Sequence, residues 1–147
     1  MAINLDLFSG SNYQSTIRNY CNNLGWKISD LNDRRTILKF TTESGTTQTV
    51  FIVRYDTTLE FSCPSGVKFR EKDSIPGWLS TLLLSQNSTF KIGFWAIEEI
   101  GDQHHFSIMH NAEISLIDVQ YFGRTVLKLI DECEKLEQAV SRALNNY

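Results

Sequence analysis

Little in this chain is equipped for chemistry. Cysteine is scarce. The three in 147 residues, Cys21, Cys63 and Cys133, are an odd count, with no two close enough in sequence to make a metal-type pair. The eight glycines stand singly, so no glycine-rich loop cradles a phosphate. There are two prolines, Pro64 and Pro76. No apolar run approaches the ~20 residues of a membrane helix; Val50–Val53 is typical of those present. The formal net charge of −3 argues against the concentrated basic surface that a nucleic-acid partner needs, and against attraction to an anionic membrane. No basic stretch followed by an apolar run stands near the amino terminus. With the cysteine usage, this points to a reducing cytoplasm.

What is present is an ordinary globular composition: 41% hydrophobic, 21% charged and 12% aromatic. The length suits one domain over residues 1–147, able to bury roughly 68–70% of its unfolded surface without metals or disulfides.

Residues 1–10 read as a loose lead-in ending in Ser9-Gly10. Tyr13, Ile17, Tyr20, Cys21 and Leu24 then form one stripe of an amphipathic helix, which Gly25 ends in the left-handed conformation. Arg35 to Cys63 reads as a three-stranded meander, with Trp26–Leu31 adding or extending a strand. Pro64 is expected to stop the pairing, leaving Ser65–Ile75 as a surface loop. Pro76 opens a short helix that closes at Asn87. A hairpin follows over Phe90–His110, turning at Gly101-Asp102. Asp118 caps a long final helix with a stripe from Val119 to Leu144. That helix would be roughly 40 Å long at 1.5 Å per residue, so its last turns, 140–147, project, fray or meet a partner. Gly123 stands inside it at a cost of about 1 kcal/mol against alanine, which close packing against the sheet would explain. The order α-βββ-α-ββ-α specifies an α+β fold: an antiparallel sheet of about five strands with three helices on one face.

The side chains that could do chemistry do not converge. His104 and His110 point to one side of their strand and His105 to the other, with His104 and His110 about 20 Å apart. The three cysteines sit on apolar stripes and read as inert buried thiols. Glu98 and Glu99 face opposite sides of a strand, and Asp131, Glu132, Glu134 and Glu137 read as a solvated helix back. No apolar pocket is implied that would raise a carboxyl pKa. Lys68, Arg70 and Lys72 alternate along an extended segment and, with Arg34 and Arg35, would form a modest basic area. No catalytic residue, metal or cofactor is expected.

The surplus lies in apolar surface. The hairpin is apolar on both faces, Phe94 and Ala96 to one side, Trp95 and Ile97 to the other. With Trp78, Leu82 and Leu84 of the middle helix, and Met109 placed opposite Trp95 and Ile97, these are more greasy residues than three helices and one sheet can hide. A second copy of the chain, or another protein, would cover them. The competing expectation is a small-molecule-binding or enzymatic domain with a pocket between the sheet and the last helix.

The segment Pro76-Gly77-Trp78-Leu79-Ser80-Thr81-Leu82-Leu83-Leu84-Ser85-Gln86-Asn87, the strand Gly93-Phe94-Trp95-Ala96-Ile97 and the entry Glu113-Ile114-Ser115-Leu116-Ile117-Asp118 to the last helix resemble the YbjN branch of the type III secretion chaperone-like fold. The resemblance implies a small, cytoplasmic, non-catalytic homodimer. Its middle helix and following strand make the dimer contact, mapping to Trp78, Leu82, Trp95 and Ile97, and apolar grooves hold an extended partner segment. A secretion role does not transfer with a fold.

Overall fold

The computed structural model describes residues 11–145, so the lead-in read over residues 1–10 and the last two residues lie outside the described residues. Helix α1 (Ser11–Leu24) leads into strand β1 (Asp30–Leu31) and the meander β2 (Arg35–Thr41), β3 (Thr47–Tyr55) and β4 (Thr58–Phe69). Helix α2 (Gly77–Asn87), the hairpin β5 (Phe94–Ile100) and β6 (Gln103–Glu113), and helix α3 (Val119–Asn145) complete the chain. The α+β class and the three helices agree with expectation. The sheet has six strands rather than five, all antiparallel, in the order β1-β2-β3-β4-β6-β5.

All three helices lie on one face of this sheet. The Tyr13 hydroxyl of α1 hydrogen-bonds Thr36 Oγ1 at 2.6 Å and donates to the Ile52 carbonyl. Phe122 of α3 stacks edge-on to Phe61 of β4, and Cys133 Sγ donates to the Cys63 carbonyl. On α3 the stripe Phe122, Val126, Leu129, Ile130, Cys133 and Leu136 is buried as its spacing predicts. Asp118 Oδ1 accepts the Tyr121 N–H and caps the helix. Gly25, at φ +73°, ends α1 as expected. The space at Gly123 is taken by α1 and not by the sheet: a Cβ there would stand 3.0 Å from Leu24 Cδ2.

Three local readings change. Trp26–Leu31 contributes only the two residues of β1, because the Trp26 ring turns inward onto Phe40 and Phe122. The hairpin starts at Phe94 rather than Phe90; Phe90 lies outside the strand, beneath the Lys128 ammonium. Most consequential, Pro64 does not stop β4. Its register with β6 shifts between Pro64 and Lys68, and pairing resumes through Phe69. The bulge survives because its freed donors find oxygens. Val67 N–H donates to Ser65 Oγ, and Gly66 N–H to Glu137 Oε1 at 2.8 Å. Glu137 Oε2 also accepts from Gln48 Nε2, a residue only 2% exposed.

The helix back is therefore not uniformly solvated. Glu137 clamps the bulge from α3, and Glu132, 9% exposed, pairs with Lys128 at 2.8 Å. Glu137→Ala would orphan the Gln48 amide and the Gly66 N–H, and is expected to lower stability by about 2–3 kcal/mol in urea unfolding. Asp131→Ala, on the exposed side of the same helix, should change stability by less than about 0.5 kcal/mol.

His110 makes a second fixed point. Its Nδ1 accepts the Gly93 N–H at 3.1 Å, so the neutral ring carries its hydrogen on Nε2 and donates to Tyr121 Oη. Burial pushes the imidazole pKa below its usual 6.5. The unfolded chain thus binds the proton more readily than the folded one. His110 therefore contributes nothing to the pH slope well above 6.5, and stability falls as pH drops below 6.5 toward the depressed folded value. The His110 ring resonances in NMR should titrate with a midpoint below 6.5.

Candidate protein-binding surface

Helix α2 has apolar side chains all round and a sheet edge on only one side of it. Pro76 stands at its N-cap with no side-chain hydrogen bond. Leu79 and Leu83, one turn apart, are buried toward the sheet. The last residue of the helix, Asn87, fixes it to the edge strand. Its Oδ1 accepts the Trp95 N–H at 2.6 Å and its Nδ2 donates to the Trp95 carbonyl at 3.2 Å. A primary amide can answer both backbone groups of an edge residue, and here it replaces a neighbouring strand. The Trp95 indole N–H donates to Gln86 Oε1, and the ring is 4% exposed.

The six residues expected at an interface therefore separate. Trp95 is removed from the outer surface, because α2 of the same chain covers it. Met109 is on the wrong face. The two-residue turn at Gly101-Asp102 sets the hairpin register so that Met109 pairs with Phe94, while Trp95 pairs with Ile108. The remaining four stay open to solvent. Trp78 is 66% exposed, Leu82 48%, Leu84 65% and Ile97 44%. Leu84 and Ile97 share the wall of a shallow cavity of about 140 Å³ with Leu83, Ala96 and Phe106. Trp78, on the other flank, borders an apolar cleft of about 590 Å³ between β4, α2 and the end of α3, where Phe69, Val140 and Leu144 face it. Leu144 itself is 71% exposed.

A cleft thus lies between the sheet and the last helix, and its one carboxylate is committed. Both Glu137 oxygens are engaged by Gln48 and Gly66. The basic area also fails to assemble. Arg35 sits at the level of Val53 and Glu60, and Lys68 sits six positions further along β6 from the level of Glu60, roughly 20 Å away; Arg35 is paired with Asp30 at 2.8 Å. The cysteines are buried; desolvation raises the Cys21 thiol to about 11, and the neighbouring Cys63 side chain and burial push Cys133 up. His105 Nδ1 lies 3.1 Å from the Ser65 carbonyl, on the face away from His104 and His110.

One pair escaped the reading of the sequence. Glu60 of β4 and Glu98 of β5 come together on the helix-free face, where Ser62 Oγ donates to Glu98 Oε1 at 2.5 Å. Burial, and then the Glu98 charge, raise the Glu60 carboxyl above its ordinary range. Thirty-seven residues of intervening chain hid this, and no local spacing links the two positions.

No family model matches this sequence, and no characterised protein matches it by sequence. Its three-dimensional arrangement does have counterparts. YbjN from E. coli, named a candidate transcription regulator, superposes with a TM-score of 0.55 at 14% identity, covering 80% of this chain and 82% of that one. A chain of the ExsC–ExsE complex superposes with a TM-score of 0.57 at 11% identity, covering 85% and 93%. The protein has the YbjN-like, type III secretion chaperone-like fold.

With its pKa raised in the folded state, Glu60 destabilises the fold when ionised. The destabilisation is full above the folded pKa and disappears as pH falls toward the unfolded value near 4.5. Glu60→Gln should therefore raise Tm at pH 7, with a gain that shrinks as pH is lowered through that window in calorimetry.

Proposed function

We propose that this chain is a non-catalytic, cytoplasmic protein-binding module that works as a homodimer, pairing α2 and the adjoining part of β5 with the same surface of a second copy. One observation carries the reading: Trp78, Leu82, Leu84 and Ile97 are large, apolar and exposed on adjoining elements, while the buried side of α2 is already spent on Trp95. Exposed apolar side chains grouped on neighbouring elements mark protein contact sites. A two-fold axis through α2 would set each patch on its own copy, and a stable pair needs about 800 Å² from each partner. The ExsC–ExsE complex, by its name, joins a protein of this fold to a second protein. In this chain, the cleft bordered by Trp78 and Leu144 is the natural seat for apolar side chains of such a partner, since its lining is mostly apolar and its carboxylate, Glu137, is already engaged.

The alternative, a ligand-binding or enzymatic domain, needs free polar groups converging in a cleft. The raised thiols and the engaged Glu137 carboxylate favour protein binding over it.

Light scattering should give twice the protomer mass for the wild type. Leu84→Glu and Ile97→Glu should each weaken the dimer by about 30-fold or more, the effect of losing about 2 kcal/mol at a hot spot, with circular dichroism and Tm unchanged. Trp95→Glu, which strikes the core, should instead lower Tm. A monomeric wild type, or surface variants that dimerise as tightly as the wild type, would overturn the proposal.

A further inference from the structure

The sheet has a face that no helix covers. By the strand registers, it carries Phe51 and Val53 of β3, Glu60 and Ser62 of β4, and Glu98 and Ile100 of β5. These six side chains and Pro64 line a hollow of about 240 Å³. Glu98 reaches from β5 across β6 to Ser62, over the strand that bears Ser107. Ser107 is fully buried, and its Oγ has no hydrogen-bond partner. Two carboxylates are thus held close together within an apolar rim. None of the ion pairs among the described residues includes either of them: Arg35, at the level of Glu60 on this face, is engaged by Asp30, and Lys68 and His105, at the level of Glu98, form no ion pair with it.

We infer that this face docks a segment of a partner protein that presents one arginine or lysine flanked by apolar side chains, the cation seated between Glu60 and Glu98 and the apolar groups on Phe51, Val53 and Ile100. The chemistry of the hollow selects among occupants. A second copy would bring four carboxylates together. A bare metal ion would find two carboxylates and a hydroxyl, and no group of three or more metal-binding side chains forms among the described residues. A nucleic acid would meet negative charge. A small free cation would leave the apolar rim wet. An arginine side chain answers both carboxylates through its forked guanidinium and lays its stem on the ring of Phe51. The inference rests on the reading of the chain as a protein-binding module and is independent of the α2–β5 dimer.

The test uses the isotope-labelled full chain and two pooled libraries of synthetic amphipathic peptides. Their apolar positions are randomised over leucine, isoleucine, valine and phenylalanine, and they differ only in a central arginine or glutamine. The arginine pool should bind about tenfold more tightly, with NMR shift changes at Phe51, Val53, Glu60, Ser62 and Ile100. The Glu60→Gln/Glu98→Gln double variant, still folded by circular dichroism, should lose that preference. Equal affinity of the two pools at this face overturns the inference. Shift changes confined to α2, β5 and the Trp78 cleft overturn it while leaving the protein-binding reading in place. Absence of binding by either pool overturns it as well, and light scattering reports separately on the dimer.

Discussion

Helix α3 lying across the middle of the sheet is the contact on which the rest of this molecule depends. Phe122 meets Phe61, Leu129 and Cys133 sit over the centre of β4 and β6, and the stripe continues to Leu136. Burial of this kind, at about 25 cal/mol per Å² of apolar surface, drives folding and is non-directional. What gives it direction is a small set of polar clamps: Glu137 on the β4 bulge, His110 on Gly93, Tyr13 on Thr36 and Ile52. Each satisfies a backbone or side-chain group that would otherwise be buried without a partner.

A single long helix cannot shield a six-stranded sheet. Helices α1 and α2 flank it on the same face, α1 against β2 and β3 and α2 along the β5 edge. This has two consequences. The outer edge is capped at Trp95 by an asparagine amide, which withdraws one residue of backbone from strand pairing. The outer flanks of α2 and the far face of the sheet are left facing solvent, one with aliphatic and indole groups, the other with carboxylates in an apolar frame. Surfaces so different in chemistry suit two different partners, a self-complementary one and a basic one.

The elements were largely legible in the sequence because their signals are local. The α1 stripe, the Gly25 stop, the Asp118 cap and the Gly101-Asp102 turn each depend on neighbours within a few residues. Pro64 misled for an equally physical reason: a proline ends a regular ladder, but a bulge supported by a carboxylate 71 residues away along the chain lets pairing resume. The Phe90 end of the hairpin failed similarly, because the apolar alternation there serves contacts to α3 rather than a strand. At the candidate surface, four of the six residues stayed exposed. Trp95 and Met109 were reassigned by the helix that covers one and the register that turns the other away.

The order of residues along the chain already carried the α+β class: helical and strand periodicities, one apolar surplus around residues 78–97, and no grouping of nucleophile, base or ligand spacing. Those properties follow from side-chain type and from separations of a few residues. Strand order and packing settled which greasy residues are hidden, that the three helices share one face, and that Glu60 and Glu98 come together outside every ion pair among the described residues. Those outcomes depend on strand order and register, which bring distant residues to within hydrogen-bonding range and which no local pattern encodes.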